Sequence, residues 1–274
     1  SNKGAPGTLQ GSVPATNGGY NLHWAANDRI VFVSYHDGCP HLYSIAAKGG
    51  APLLLTPGNF MVEHVKLSHD KKWIVFSTNT GPDNFDYERR HIAKVPVDKA
   101  AMQILTPGTG IETFPVVTGD NKTIAMFSAD MQRPTVVATV PFAGGDLTLA
   151  GKDLIPADFP STQFVMPKSV RFKAADGKTV YAQLFEPANQ SSKKPAVVFI
   201  HGGPERQMLL GWHYGDYYAN TYALNQYLVS KGFIVLSVNY RLGIGYGYDF
   251  QHPTGDWANG ASEYRDIKAA GEWL

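Results

Sequence analysis

The sequence predicts an all-β region of repeated strand units up to about residue 160, followed by an α/β region that runs to Leu274. Three observations carry this. Through the first 150 residues apolar side chains alternate with a period of two, in short segments that recur. Near residue 160 the stretch Ile155-Pro156-Ala157-Asp158-Phe159-Pro160-Ser161 reads as a linker, and the composition changes. Beyond it the order becomes strand, helix, strand, helix, which is the signature of a mostly parallel α/β sheet.

Composition narrows the classes. The 274 residues suffice for one large or two ordinary domains, and 43% hydrophobic against 17% charged residues fits a packed core rather than a disordered chain. A net charge of +1 gives no bulk attraction to nucleic acid or to an anionic membrane. The longest apolar runs are strand-sized, so no membrane span is expected. The single cysteine, Cys39, excludes an internal disulfide and a Cys-based zinc cluster. In Asp37-Gly38-Cys39-Pro40 it reads as a turn residue, not a nucleophile. Glu63-His64 and His36/His41 lack metal-ligand spacing, so no metal is assigned. No signal peptide is visible at Ser1, and the start reads as the interior of a longer protein.

The repeated units come first. Asp28–Ser34, Asp70–Ser77 and Asp120–Ser128 each join a polar turn to an alternating, half-buried strand. Each is followed by a second strand: His41–Ile45, His91–Val95 and Thr135–Val140. Leu55-Thr56-Pro57-Gly58 and Leu105-Thr106-Pro107-Gly108 close two units in nearly the same words. Phe32 and Phe76 are 44 residues apart, Phe76 and Phe127 51. That period, with four strands expected per unit, predicts β-propeller blades. The period of two excludes helical solenoids. Three units do not close a propeller, which takes at least about four blades, so more blades are expected upstream. Glu88-Arg89-Arg90 reads as a solvated blade edge.

In the second region, Pro167–Ala174 and Thr179–Glu186 form strands about the turn Ala175-Asp176-Gly177-Lys178, and Pro187–Lys194 is a polar loop. Ala196–Ile200 is continuously apolar, as a strand buried on both faces should be. Tyr218, Tyr222 and Leu228, with Leu224 beside them, make the apolar stripe of a helix that Gly232 can end in a left-handed conformation. Phe233–Val238 is the next buried strand. Ser262 is placed to cap a last helix with Tyr264, Ile267, Gly271 and Leu274 on its inner face. The domain boundaries expected are therefore 1–160 for blades and 161–274 for the α/β part.

The chemistry concentrates where Val197–Ile200 runs into His201-Gly202-Gly203-Pro204. A buried strand ending in His-Gly-Gly-Pro is similar to the oxyanion loop of an α/β-hydrolase. A propeller followed by such a domain resembles the prolyl oligopeptidase family of serine peptidases, in its dipeptidyl-peptidase and acylaminoacyl-peptidase branches. Further residues agree: Tyr227–Phe233, Val238-Asn239-Tyr240-Arg241-Leu242-Gly243, Gly245-Tyr246-Gly247 and Phe250, then Glu263 and Asp266. The resemblance implies the N-terminal half of a hydrolase domain. The family's Ser, Asp and His are expected beyond Leu274, since no G-x-S-x-G occurs in the chain. No catalytic triad residue is assigned here, and the stretch alone is expected to be inactive.

By resemblance, the Gly203 N–H is one oxyanion donor. His201 reads as a structural histidine at a strand end rather than the triad base. Tyr240 and Arg241 close a strand at the edge where α/β ligands bind and are expected to brace the site. The glycines of Gly243–Gly247 lack dinucleotide spacing, and no Walker lysine follows. The aromatics Trp212, His213, Tyr214, Tyr217, Tyr218 and Tyr222 read mainly as packing, with one or two faces left for substrate. Dipeptidyl relatives hold the substrate amine with a propeller Glu-Glu pair; none occurs here, so that role is not carried over.

The implied activity is hydrolysis of short peptides through an acyl-enzyme, with access gated by the propeller and no cofactor. The alternatives are a carboxylesterase on the same scaffold and a non-catalytic propeller binding protein. The implied partner is a short peptide substrate, with no nucleic acid and no membrane span. A homo-oligomer of the full-length protein is left open, and the family resemblance leans to a periplasmic or secreted location over a cytoplasmic one.

Overall fold

The computed structural model describes residues 22–81, 86–188, 193–254 and 260–274. The start at Ser1 and the middle of the 187–194 loop lie outside the described residues. The chain falls into two compact units. One takes in the residues up to Ser128, Val136–Lys152 and Gly245–Tyr248. The other takes in Ala129–Thr135, Asp153–Ile244 and Asp249–Leu274.

The first unit holds three four-stranded sheets, each an antiparallel meander in sequence order. They are β1 to β4 (Leu22–Ala25, Arg29–Ser34, His41–Ala46, Leu53–Leu54), β5 to β8 (Val62–Leu67, Trp73–Thr78, His91–Pro96, Gln103–Ile104) and β9 to β12 (Ile111–Val117, Thr123–Ala129, Val136–Pro141, Thr148–Ala150). These are the expected blades.

The recurring residues have a recurring physical job. In the second blade, Asp70 Oδ1 accepts from Ser68 Oγ at 2.6 Å and from Lys72 N–H at 3.1 Å. In the third, Asp120 Oδ1 accepts from Thr118 Oγ1 at 2.7 Å and from Lys122 N–H at 3.0 Å. Each is a side-chain-closed turn. Lys71 (φ 59) and Asn121 (φ 55) carry its left-handed corner. The Leu-Thr-Pro-Gly segments end the meanders the same way. Leu55 N–H and Leu105 N–H donate to the carbonyls of Leu42 and Ile92. Leu42 N–H and Ile92 N–H donate back to Thr56 Oγ1 and Thr106 Oγ1, at 2.9 and 2.8 Å.

Burial follows the pleat. On the middle blade Ile74, Phe76, Ala93 and Val95 face one core, while Val75 and Ile92 face the other. Both faces are therefore covered. The third blade has one bare face, where Val116, Phe127 and Val137 are exposed. They line an open depression of about 490 Å³ with Lys66 and Phe114. Glu88-Arg89-Arg90 is not a solvated edge. Glu88 and Arg90 are buried, and Arg90 is paired with Glu63 and capped by the carbonyls of Tyr87 and Arg89. A buried charge of this kind has no signature in the strand pattern, because only its partner makes it tolerable.

In the second unit, β13 (Lys168–Lys173) and β14 (Thr179–Phe185) form the expected hairpin, with Gly177 at φ +78 in its turn. With β15 (Ala196–Ile200) and β16 (Ile234–Asn239) they make one sheet of order β13-β14-β16-β15. Only β15–β16 is parallel; β14–β16 is antiparallel. The expectation of a mostly parallel sheet is thus corrected: among the described strands the single βαβ crossover supplies the single parallel pair. Nor is β15 buried on both faces. It pairs with β16 alone, and Ile200 is 46% exposed.

The crossover helix α1 (Asp216–Ser230) ends as expected. Gly232 has φ +92, its N–H donates to Val229 O, and Phe233 N–H donates to Leu228 O. This is a Schellman motif. Its inner face is not the expected stripe, since Leu224 is exposed and Thr221, Asn225 and Gln226 are buried beside Tyr222 and Val229. A short helix, α2 (Tyr248–Gln251), precedes α3 (Ser262–Trp273). In α3 the cap is Ala261, not Ser262. The buried face is Ser262, Asp266, Ala269 and Ala270, while Tyr264 and Leu274 are exposed. The helix is turned this way because Asp266 is drawn inward to a buried cation, described next.

Candidate oxyanion loop

All the site residues expected from the sequence lie in the second unit, and the structure brings them together at the ends of β15 and β16. The chain leaves β15 at Ile200 and turns through His201-Gly202-Gly203-Pro204. Gly203 sits at φ +56, in the left-handed region open to glycine without strain. No cis peptide occurs among the described residues.

Two tyrosines grip the turn by its backbone. Tyr240, just past β16, donates its hydroxyl to the His201 carbonyl at 2.6 Å. Tyr218, in the first turn of α1, donates to the Gly202 carbonyl at 2.7 Å. The Tyr240 ring also stacks on the His201 ring, with centroids 4.3 Å apart and planes 17° apart. The loop rests in turn on the segment after β16. Ile244 N–H donates to the Arg206 carbonyl at 3.2 Å, and a Cβ on Gly243 would stand 2.7 Å from that same oxygen. Gly243 is therefore required by close packing of two backbones, not by a phosphate.

His201 is 2% exposed, and its Nε2 has no partner among the described residues. Burial pushes its pKa down to about 4, against a weak pull upward from the Gly202 carbonyl. The folded protein therefore keeps this ring neutral at a pH where the unfolded chain protonates it. The stability tied to this difference is complete above about pH 6.5 and is lost as pH falls toward 4. Urea denaturation of the full-length protein should show it. Between pH 7 and pH 4.5, wild type should lose about 2–3 kcal/mol more than His201→Gln. Equal losses in the two proteins would mean that the ring is solvated or paired.

Arg241, next to Tyr240, is 5% exposed. Its N–H donates to Asp266 Oδ2 at 2.8 Å and its Nη2 to Asp266 Oδ1 at 2.6 Å, while Nη1 donates to Asp176 Oδ2 at 2.6 Å. Burial works against its charge, but the two carboxylates outweigh burial and hold its pKa above the ordinary value. Burial also pushes the Asp266 carboxyl up, against the Arg241 hydrogen bonds. With its guanidinium committed to two acids, Arg241 is a strut joining β16, the β13–β14 turn and α3. Glu263 accepts from Gly260 N–H at 2.7 Å and serves the entry to α3.

The aromatic group divides. Trp212 and Tyr222 pack at 5.4 Å, and the Tyr222 hydroxyl donates to Met131 O at 2.8 Å. Tyr217 is 73% exposed. Sequence reasoning missed the specific contact of Tyr218, which needs the turn after β15 and the start of α1 to be adjacent in space. In the first unit, burial raises the Cys39 thiol to about 11, unsuited to a nucleophile. Gly245–Tyr248, though late in the sequence, belongs to the first unit: Gly245 O accepts from Asn79 Nδ2, and Tyr248 N–H donates to Gly38 O. Among the described residues no group of His, Cys, Asp and Glu could hold a metal ion, and no helix is long and apolar enough to cross a membrane.

Four-stranded blades, followed by a sheet with a βαβ crossover and a Gly-Gly turn at its first parallel strand, define a chain of β-propeller blades leading into an α/β-hydrolase domain. No family model matches the chain. It is 31% identical over 183 residues to the dipeptidyl aminopeptidase BIII of Pseudoxanthomonas mexicana, covering 61% of this chain and 24% of that protein. It superposes on a puromycin-hydrolyzing peptidase of Mycobacterium tuberculosis with a TM-score of 0.75 at 19% identity, covering 92% of this chain and 38% of that one. Against the dipeptidyl peptidase 4 of Porphyromonas gingivalis the TM-score is 0.71 at 18% identity, over 92% of this chain and 34% of that one. These likenesses are to dipeptidyl-peptidase-like proteins of the prolyl oligopeptidase family, and the chain spans less than a quarter of the length of the curated relatives it matches.

Proposed function

We propose that this chain is part of a serine peptidase that cleaves short peptides through an acyl-enzyme, and that His201–Pro204 forms its oxyanion loop. Residues 1–160 belong in this reading to a propeller that restricts the site to short substrates, and 161–274 to the first half of the catalytic domain. The observation that carries it is the turn after β15. Its carbonyls at His201 and Gly202 are held by Tyr240 and Tyr218, and no described group accepts the N–H of Gly202 or Gly203. Attack by a serine on an amide carbonyl puts negative charge on oxygen. One preorganised N–H donor at that oxygen is worth about 3–4 kcal/mol of barrier. The peptidase relative named above supports peptides as the substrate class.

The 274 residues contain no G-x-S-x-G, and in this reading the nucleophile lies outside them. The full-length protein should label with a fluorophosphonate probe and hydrolyse chromogenic dipeptide substrates, whereas residues 1–274 alone should do neither. Labelling mapped to a serine within 1–274 would overturn the reading. Hydrolysis of esters without peptides would move it to a carboxylesterase, and no labelling of the full-length protein would move it to a binding protein.

A further inference from the structure

The Gly202 carbonyl and the Gly203 N–H belong to one peptide unit. In a trans peptide these two groups point in opposite directions across a single plane. Whatever fixes the carbonyl therefore fixes the N–H. The Tyr218 hydroxyl donates to that carbonyl at 2.7 Å, and it is the one described side chain that does so from another element. A hydrogen bond accepted at a carbonyl also polarises the peptide and strengthens its N–H as a donor.

Tyr218 is itself held in place. Its ring stands edge-on to His201 at 6.5 Å and to His213 at 5.3 Å. His213 Nδ1 accepts from Gly215 N–H at 2.8 Å and so secures the start of α1. The neighbouring peptide is gripped likewise by Tyr240, but that ring is 6% exposed and stacked on His201. Its loss would disturb the core. Tyr218 is only partly buried, so its hydroxyl, which also lies near the Arg206 side chain, can be removed without opening the core.

We propose that Tyr218 is a positioning residue, whose hydroxyl latches the Gly202 carbonyl and so aims the Gly203 N–H at the oxygen that becomes negative in the transition state. This rests on the peptidase reading above. A latch of this kind acts on kcat and leaves KM nearly alone, because the carbonyl of bound substrate carries little charge until attack.

The test is Tyr218→Phe in the full-length protein, beside Tyr227→Phe, an exposed tyrosine of the same helix. Tyr218→Phe should lower kcat about tenfold with KM changed less than about twofold, at an unchanged circular dichroism spectrum. Amide hydrogen exchange in a peptide spanning 201–206 should speed up in Tyr218→Phe alone. Tyr227→Phe should match wild type in both. Wild-type kcat in Tyr218→Phe would overturn the proposal, as would unchanged exchange, or a loss that falls on KM. If the full-length protein neither labels nor hydrolyses any substrate, the peptidase reading fails separately. The exchange experiment then decides the latch alone: faster exchange keeps it, and unchanged exchange ends it.

Discussion

Gly203→Val in the full-length protein should lower kcat by about a hundredfold or more while leaving the protein folded. The residue sits at φ +56, and a Cβ there would approach only the Arg206 guanidinium, at 4.0 Å. Space is thus not the obstacle. A β-branched side chain resists left-handed backbone, at a cost of about 1–3 kcal/mol. The turn relieves that strain by rotating the peptide that carries the proposed oxyanion donor. His201→Ala should cost less, because the His201 ring is buried against Tyr240 and stays uncharged near neutral pH. The readouts are kcat and kcat/KM on one chromogenic peptide, with circular dichroism to establish folding. Near wild-type kcat for folded Gly203→Val would remove the loop from the mechanism. An equal loss from His201→Ala would give the histidine a direct part in the transition state.

The second large effect is on stability. Asp266→Ala should cost about 3–5 kcal/mol in denaturant unfolding of the α/β unit, because it strands the buried Arg241 guanidinium. Asp266 is fully buried, whereas the Asp176 side chain is 30% exposed. Asp176→Ala should therefore cost only about 1 kcal/mol. Replacing both members of the buried pair, Arg241→Met with Asp266→Leu, should recover most of the loss, since no charge is then left unpaired. A loss below about 1 kcal/mol for Asp266→Ala would show that water reaches Arg241.

Most of the blade region was legible in the chain because its signals are local. The Asp70 and Asp120 turns, the paired Thr56 and Thr106 hydroxyls and the alternation along β10 are each set by residues within a few positions or one hairpin. The same holds for the β13–β14 hairpin and for Gly232 at the end of α1. The His-Gly-Gly-Pro turn stood out for a related reason: a glycine pair after an apolar strand is a local statement about backbone.

Glu88 and Arg90 read as solvated, Leu224 as buried, Ser262 as a cap and β15 as covered on both faces. Where the structure shows the cause, it is a contact or a strand order that joins distant segments. Arg90 is internal because Glu63, 27 residues away, neutralises it. The face that α3 buries follows from Asp266 reaching Arg241, 25 residues back. The strand neighbours of β15 depend on the order β13-β14-β16-β15, which pairs β16 with strands on both sides and leaves β15 at the edge. Local turn chemistry and hydrophobic period are written residue by residue, and so this chain's strands, hairpins and glycine turn follow from its sequence. The pairing of buried charges, the sheet order and the grip of Tyr218 on Gly202 are contacts between distant segments. Their free energy exists only once the chain has closed those loops, so they belong to the tertiary structure.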